Sequence, residues 1–357
     1  MTRAQRFALA LKSAGADGAI ISSQVNQRYL SGFDYSDGYI LVTENESFLL
    51  ADSRYIEAAK NQVKDMTVVL PTGSMLGTLG ETVKEKGLSR ILVEENEICL
   101  GTFNTIKEKL SFTQVDGGAS KLLKEMRAVK SSSELSRIAE AQRLTDAAFS
   151  HILDFISPAR TEKEIALELE FFMRKNGAES TAFDTIAVSG ASSSLPHGVP
   201  QDIPLRNGFL TMDFGAKVDG YCSDMTRTVV VGKADEEMKR VYETVLSAQL
   251  SALEFIRGGV LCRDADEVAR GVIREAGYGQ FFGHSLGHGV GLYIHEAPNL
   301  SPKADPSAVL QAGNVITVEP GIYLEGRFGC RIEDMVAISE DGSLMNFTKS
   351  PKALIEL

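Results

Sequence analysis

No apolar stretch in this 357-residue chain approaches the roughly 18 residues that a membrane-spanning helix needs, so no span is expected. Cysteine is scarce: Cys99, Cys222, Cys262 and Cys330 lie far apart, and none forms a C-x-x-C pair. Such spacing argues against a disulfide framework and fits free thiols in a reducing cytoplasm. Basic side chains are outnumbered, 37 against 48 acids, and the net charge of −11 gives a nucleic-acid backbone nothing to hold. No G-x-S-x-G elbow accompanies Ser192–Ser194 and His197, so a serine-hydrolase reading lacks its motif. Repeats of about 20–50 residues and low-complexity tracts are also missing. Near the amino terminus Lys12 cuts short the apolar run Phe7–Leu11, too brief for a signal peptide. An amphipathic first helix is expected there instead.

What is present reads as an ordinary globular chain, 43% hydrophobic and 24% charged. At roughly 150 residues per domain its length suggests two domains. Up to about residue 120, β-like runs (Gly18–Ser22, Gly38–Thr43, Ser47–Ala51, Thr67–Leu70, Arg90–Glu94) alternate with helical patterns near Arg3–Ala14, Arg54–Gln62, Leu76–Lys86 and Phe103–Lys109. That alternation predicts an α/β layer. Ser131 and Glu134 then have capping-box spacing before the apolar series Leu135, Ile138, Ala141, Leu144, Ala148. A boundary is expected near 121–130, giving domains 1–122 and 131–357. In the second, a Thr161/Glu164 cap precedes another helix, and helical patterns cover Asp235–Arg257 and Asp264–Ala276, the latter closed by Gly277. The remainder is β-rich, so this part reads as α+β.

Two candidate hairpins carry acids. In Phe209–Val231 a turn at Val218–Gly220, with its centre taken between 218 and 219, leaves Asp213 and Asp224 equidistant from that centre. An ideal register would set them opposite one another, Cβ atoms roughly 5 Å apart. In Val315–Ile338 a turn centred on Gly326 places Glu319 opposite Glu333, and Pro320 marks that strand as edge or bulged. Opposed carboxylates on apolar strands repel and are costly to bury unpaired. Either salt bridges to Arg227 or Arg331 or a bound cation resolves this. Four of the five histidines, His197, His284, His288 and His295, fall between 197 and 295. Glycines at 283, 287, 289 and 291 oppose a helical H-E-x-x-H reading and favour an extended segment that lets backbone approach a ligand. Carboxylates with imidazole form a hard donor set, suited to Mn(II), Co(II) or Fe(II), and so many carboxylates can bridge two ions. The chemistry indicated is that of a dinuclear metal hydrolase.

These residues resemble the pita-bread metallopeptidases: Xaa-Pro aminopeptidases, Xaa-Pro dipeptidases and methionine aminopeptidases. The resemblance rests on Ser194-Leu-Pro-His-Gly198, Asp213-Phe-Gly with Asp224-Met-Thr-Arg227, His284-(x3)-His288-Gly-(x5)-His295-Glu296, Val318-Glu-Pro-Gly321 and Arg331-Ile-Glu-Asp334. Arg28–Phe33 and Ala51–Tyr55 are similar to the creatinase/prolidase-type amino-terminal domain, which methionine aminopeptidases generally lack. The implied fold is a pita-bread catalytic domain preceded by a smaller α/β domain. The resemblance implies metal ligands at Asp213, Asp224, His288, Glu319 and Glu333, with Asp224 and Glu333 bridging two divalent ions. Manganese comes first, with cobalt, iron or zinc as alternatives. His197, His284 and His295 become unliganded site histidines, Glu319 a proton carrier, and Arg331 and Tyr323 groups behind the ligands.

The implied substrate is a peptide with proline in second position, the implied assembly a homodimer. Creatinases share the fold without the ligands, and binding proteins of this fold have usually lost them. In many short prolidase-like relatives an arginine follows the His-Glu-x-Pro segment. Here His295-Glu-Ala-Pro298 is followed by Asn299, which offers a substrate carboxylate no charge. That favours an aminopeptidase accepting longer peptides over a strict dipeptidase, unless Arg206, Lys303 or Arg327 substitutes.

Overall fold

β-branched and leucine-rich runs in the first third of the chain pair into one sheet. The computed structural model describes residues 1–357, which divide into units Met1–Met126 and Arg127–Leu357. In the first unit β1 (Gly18–Ile21), β2 (Tyr39–Thr43), β3 (Ser47–Leu50), β4 (Thr67–Val69), β5 (Arg90–Val93) and β6 (Gln114–Gly117) take the order β4-β3-β2-β1-β5-β6. The β1–β2 and β2–β3 pairs are antiparallel and the others parallel. The helices are α1 (Arg3–Ser13), α2 (Gln24–Ser31), α3 (Ile56–Gln62), α4 (Met75–Glu85), α5 (Leu100–Lys109) and α6 (Ala119–Ala128). Helix α1 is amphipathic as expected, burying Ala4, Phe7, Ala8 and Leu11 at helical spacing, and opens with a Thr2/Gln5 capping box. The division between the units falls inside α6.

The second unit is α+β. Helices α7 (Ser132–Phe155) and α8 (Glu162–Lys175) open it. A run of short strands follows: β7 (Ser180–Thr181), β8 (Ile186–Ser189), β9 (Gly208–Phe214), β10 (Ala216–Val218), β11 (Tyr221–Cys222) and β12 (Met225–Val231). After α9 (Glu236–Phe255) and α10 (Cys262–Glu275) come β13 (Gly287–Gly289), β14 (Glu296–Leu300), β15 (Val315–Val318), β16 (Gly321–Leu324), β17 (Phe328–Arg331), β18 (Asp334–Ile338) and β19 (Leu344–Asn346). They form sheets β12-β9-β8, β11-β10-β7, β14-β13-β15-β18-β19 and β16-β17.

Two apolar cores support these layers. Leu144, Ile152, Ile165 and Leu169 pack with Leu210, Met212 and Val229, while Val241, Val245, Ala269 and Ile273 pack with Ile316, Val318 and Val336. Each pair of helices thus covers its own strands, and the acid-bearing strands are fixed from behind. The caps behave as their residue types dictate. Thr161 accepts from Glu164 N at 3.2 Å, Glu164 accepts from Thr161 N at 2.8 Å, and Asp235 caps α9 through Glu237 and Met238.

Candidate metal centre

The first hairpin turns one residue later than a symmetric reading of its sequence suggests. Positive φ at Asp219 (48°) and Gly220 (82°) makes them the two turn residues, and Val218 pairs with Tyr221. Asp213 therefore lies opposite Thr226, not opposite Asp224 as expected. Asp224 becomes its diagonal neighbour. The shift is two residues along the partner strand, so alternation keeps both carboxylates on one face. Gly215 permits the close crossing, since a Cβ there would sit 1.9 Å from Ser223 O.

The second hairpin keeps its expected register. Val318 pairs with Asp334 and Gly321 with Arg331, so Glu319 faces Glu333 in the gap between two ladders. The break falls at Pro320, which cannot donate to the sheet. With no ladder to join, Glu319 N donates to Leu286 O and Glu333 N to Thr226 O. Those two bonds stitch the second hairpin to the histidine segment and to the first hairpin.

The result is a concentrated acidic cluster. Carboxylate oxygens of Asp213, Asp224 and Glu333 lie within 4.8 Å of one another, an arrangement that could hold a metal ion. Nε2 of His288 is 3.5 Å from Asp224 Oδ2 and 3.4 Å from Glu319 Oε1, while its Nδ1 lies 3.1 Å from Gly289 O. With Nδ1–H spent on that carbonyl, Nε2 presents its lone pair to the acids.

The salt-bridge reading also holds, for one oxygen only. Arg331 Nη2 donates to Asp213 Oδ2 at 2.6 Å, and Thr226 Oγ1 donates to Glu333 Oε2 at 2.7 Å. The other oxygens, Asp213 Oδ1 and Glu333 Oε1, are buried without any partner. Orphaned buried carboxylate oxygens are costly, and a cation between them removes the cost. Arg227 is occupied elsewhere, on Asp334 Oδ1 at 2.8 Å.

Electrostatics agree with this geometry. Burial, then the charges of Glu333, Asp213 and Glu319, push Asp224 far above the usual carboxylate range. Glu333 rises for the same reasons, burial first, and burial lifts Glu319 to about 7. Burial lowers His288 and His295, and brings His284 down to about 4. The donor set thus consists of neutral imidazole and mutually repelling acids, which fits a hard divalent ion.

The remaining candidates line one cavity of about 710 Å³, together with the cluster. His197 and His295 are exposed on its wall, and the His295 ring packs edge-on at 4.4 Å from His288. His284 points Nδ1 at Ser285 O and Nε2 at the Tyr323 hydroxyl, both 2.9 Å away. Arg331 Nη1 donates to that hydroxyl at 2.8 Å. Arg331 is the one arginine or lysine lining the cavity, so Arg206, Lys303 and Arg327 do not reach it. Two residues escaped the sequence reading: Thr226, and Thr317, whose hydroxyl donates to Glu319 Oε1 at 2.9 Å. Each sits two positions from an acid on the same strand face, and that spacing was the available signal.

Against known families, residues 136–340 match the metallopeptidase family M24. The chain belongs to that family. Residues 3–129 match the creatinase/prolidase amino-terminal domain, so the fold is the pita-bread catalytic domain with the expected smaller domain before it. Among solved structures, a Bacillus anthracis Xaa-Pro dipeptidase is 40% identical with a TM-score of 0.96, covering 99% of both chains. A Thermotoga maritima X-Pro aminopeptidase is also 40% identical, with a TM-score of 0.91, covering 99% of this chain and 100% of that one. An Xaa-Pro dipeptidase of Pyrococcus horikoshii is 37% identical over 95% of this chain and 94% of its own length. This M24 protein is accordingly a metallo-exopeptidase. No helix is long and apolar enough to cross a membrane.

Proposed function

We propose that this M24 protein hydrolyses the bond between a peptide's first residue and a proline in second position, using two divalent ions held by Asp213, Asp224, His288, Glu319 and Glu333. The observation that carries the reading is the pair of orphaned oxygens, Asp213 Oδ1 and Glu333 Oε1, inside that cluster. Two such ions supply an activated water and polarise the scissile carbonyl.

The chain's own groups do the rest. Asp213, Asp224 and Glu333, whose oxygens cluster, would hold the ions together with His288 and Glu319 beside them. His295 and His197, on the cavity wall, are placed to donate to the carbonyl oxygen as charge develops there. The nitrogen of the Xaa-Pro bond is tertiary and needs a proton to leave, which Glu319 at the edge of the cluster would carry. His284, committed to Ser285 and Tyr323, supports Arg331 and through it Asp213.

The dipeptidases among the relatives favour Xaa-Pro dipeptides as substrates. A second reading, longer peptides, rests on the cavity wall. Asn299 lines it where a charged group would capture a dipeptide's carboxylate, and Arg331 is already bonded to Asp213. Comparing kcat/KM for an Xaa-Pro dipeptide and an Xaa-Pro-Xaa tripeptide, with and without Mn(II), decides between them, and cleavage of neither overturns the proposal. On the family resemblance we also assign manganese to the ions and a homodimer to the assembly, checked by elemental analysis and light scattering. The four uncrosslinked cysteines support a cytoplasmic setting.

A further inference from the structure

Between His288 and His295 the chain makes a loop whose far end carries a buried acid that the chemistry above leaves unused. Glu296 is 6% exposed, yet two cations meet it: Arg127 Nε at 3.0 Å on Oε1 and Lys130 Nζ at 3.3 Å on Oε2. The Lys130 side chain is 1% exposed and that of Arg127 10%. The same carboxylate turns back onto its own loop and accepts from Tyr293 N at 3.2 Å. The guanidinium of Arg127 also lies over the Tyr293 ring, 5.0 Å from its centroid. Gly291 is shaped to this arrangement, because a Cβ there would come within 2.5 Å of Glu296 Oε2. The loop is pinned from its other side by Cys222 N, which donates to Gly291 O at 2.8 Å. Lys130 is itself anchored, its N–H donating to Gly313 O at 2.8 Å.

Buried ion pairs of this kind are poor stabilisers, since the cost of desolvating the charges offsets most of their attraction, and apolar side chains of equal volume serve as well. What they do impose is direction: a carboxylate held by two cations and an amide has one place to be. The residue immediately before it is His295, preceded by Ile294, and both line the cavity. We propose that Glu296, clamped by Arg127 and Lys130, is a positioning residue that sets His295 on the cavity wall. The effect on turnover rests on the cavity being the Xaa-Pro site. The effect on His295 itself does not.

The test uses the full-length, Mn(II)-loaded protein and the variants Glu296→Gln, Lys130→Met and His295→Ala, with core variant Ile152→Val as a control for stability alone. Glu296→Gln should lower kcat at least about ten-fold with KM little changed, part of the roughly hundred-fold or more that losing an oxyanion donor costs. Lys130→Met should shift kcat in the same direction by less, and supplies the comparison if Glu296→Gln does not fold. The variant combining Glu296→Gln with His295→Ala should be no slower than His295→Ala alone, because both changes act through one imidazole. A merely structural role would instead multiply the two losses, and that result overturns the proposal. Imidazole ¹⁵N signals of the five histidines, recorded with diamagnetic Zn(II) in place of paramagnetic Mn(II), give a readout independent of activity. Both Glu296→Gln and Lys130→Met should move the His295 signal and leave that of His151 in place. If the wild type cleaves no Xaa-Pro bond, the functional reading fails while this signal still decides the positioning. An unmoved His295 signal in both variants sinks it.

Discussion

Thr226 shows how one hydroxyl can leave an acid half free. It donates to Glu333 Oε2, accepts from Arg331 Nε at 2.9 Å, and so leaves Glu333 Oε1 turned into the cluster without a partner. Thr226→Val keeps the shape of the side chain but strands two buried polar groups. Groups that orient metal ligands typically matter by about 10–100-fold in affinity, so calorimetric titration with Mn(II) should show a weakening of that size for at least one ion. Removing a carboxylate altogether is harsher. Asp224→Ala and Glu333→Ala should each abolish hydrolysis and bind fewer than two ions. Wild-type turnover with two ions bound in either variant would refute the ligand assignment. Asn299→Arg tests the peptide-length question directly: kcat/KM should shift towards dipeptides if this position meets the substrate's carboxylate.

The strands show what alternation and symmetry could reveal in the sequence and where they stopped. The Glu319–Glu333 register was legible because Gly326, at the centre of its turn, has the positive φ (68°) that such a tight turn requires, and Pro320 fixed where the ladder breaks. The Asp213–Asp224 register differs by one turn position, although Asp219-Gly220 (φ 48° and 82°) is the Asp-Gly pair that a two-residue hairpin turn favours, and centring the turn on it gives the observed pairing. The face survived the error because side chains alternate with period two. Helix α2 went unread for another reason. It is eight residues long and carries only Val25, Tyr29 and Leu30 as its apolar stripe, too few to establish a period, so its Ser23 cap and left-handed Gly32 are the clearest marks of its ends. The hydrogen bonds to Leu286 O and Thr226 O that assemble the site link distant segments, and no local pattern announces them. Behind the strands Asp334 binds Arg227 and Lys352, each at 2.8 Å, and is 1% exposed. Burial pushes its pKa up, but Arg227 and Lys352 outweigh that and hold it below the usual range. Asp334→Ala leaves two cations unpaired and should cost about 3–5 kcal/mol, read from urea unfolding.

For the whole molecule, the same crowding of acids ties stability to pH once metal is removed. Asp224, Glu319 and Glu333 have raised pKa values in the folded chain, Glu319 to about 7, against roughly 4 when unfolded. Above pH 4, therefore, the metal-free fold holds more protons than the unfolded chain at these sites, and stability falls as pH rises. His284, His288 and His295 work in the opposite sense. Their folded pKa values lie below the ordinary 6.5, so between the folded value and 6.5 the unfolded chain holds more protons and stability rises with pH. The two trends oppose one another in the acid range. By about pH 7.5 these three histidines are almost wholly neutral in both states, and among these groups only the carboxylates still titrate. The EDTA-treated protein should then lose thermal stability between about pH 7.5 and 8.5, at up to roughly 1.4 kcal/mol per pH unit for each carboxyl still holding its proton. Saturating Mn(II) should reverse the slope, because ion binding requires those acids ionised and competes with protons. Scanning calorimetry at three pH values, with and without metal, makes the comparison. A metal-free Tm that climbs between about pH 7.5 and 8.5 would mean that the acids do not share one desolvated centre.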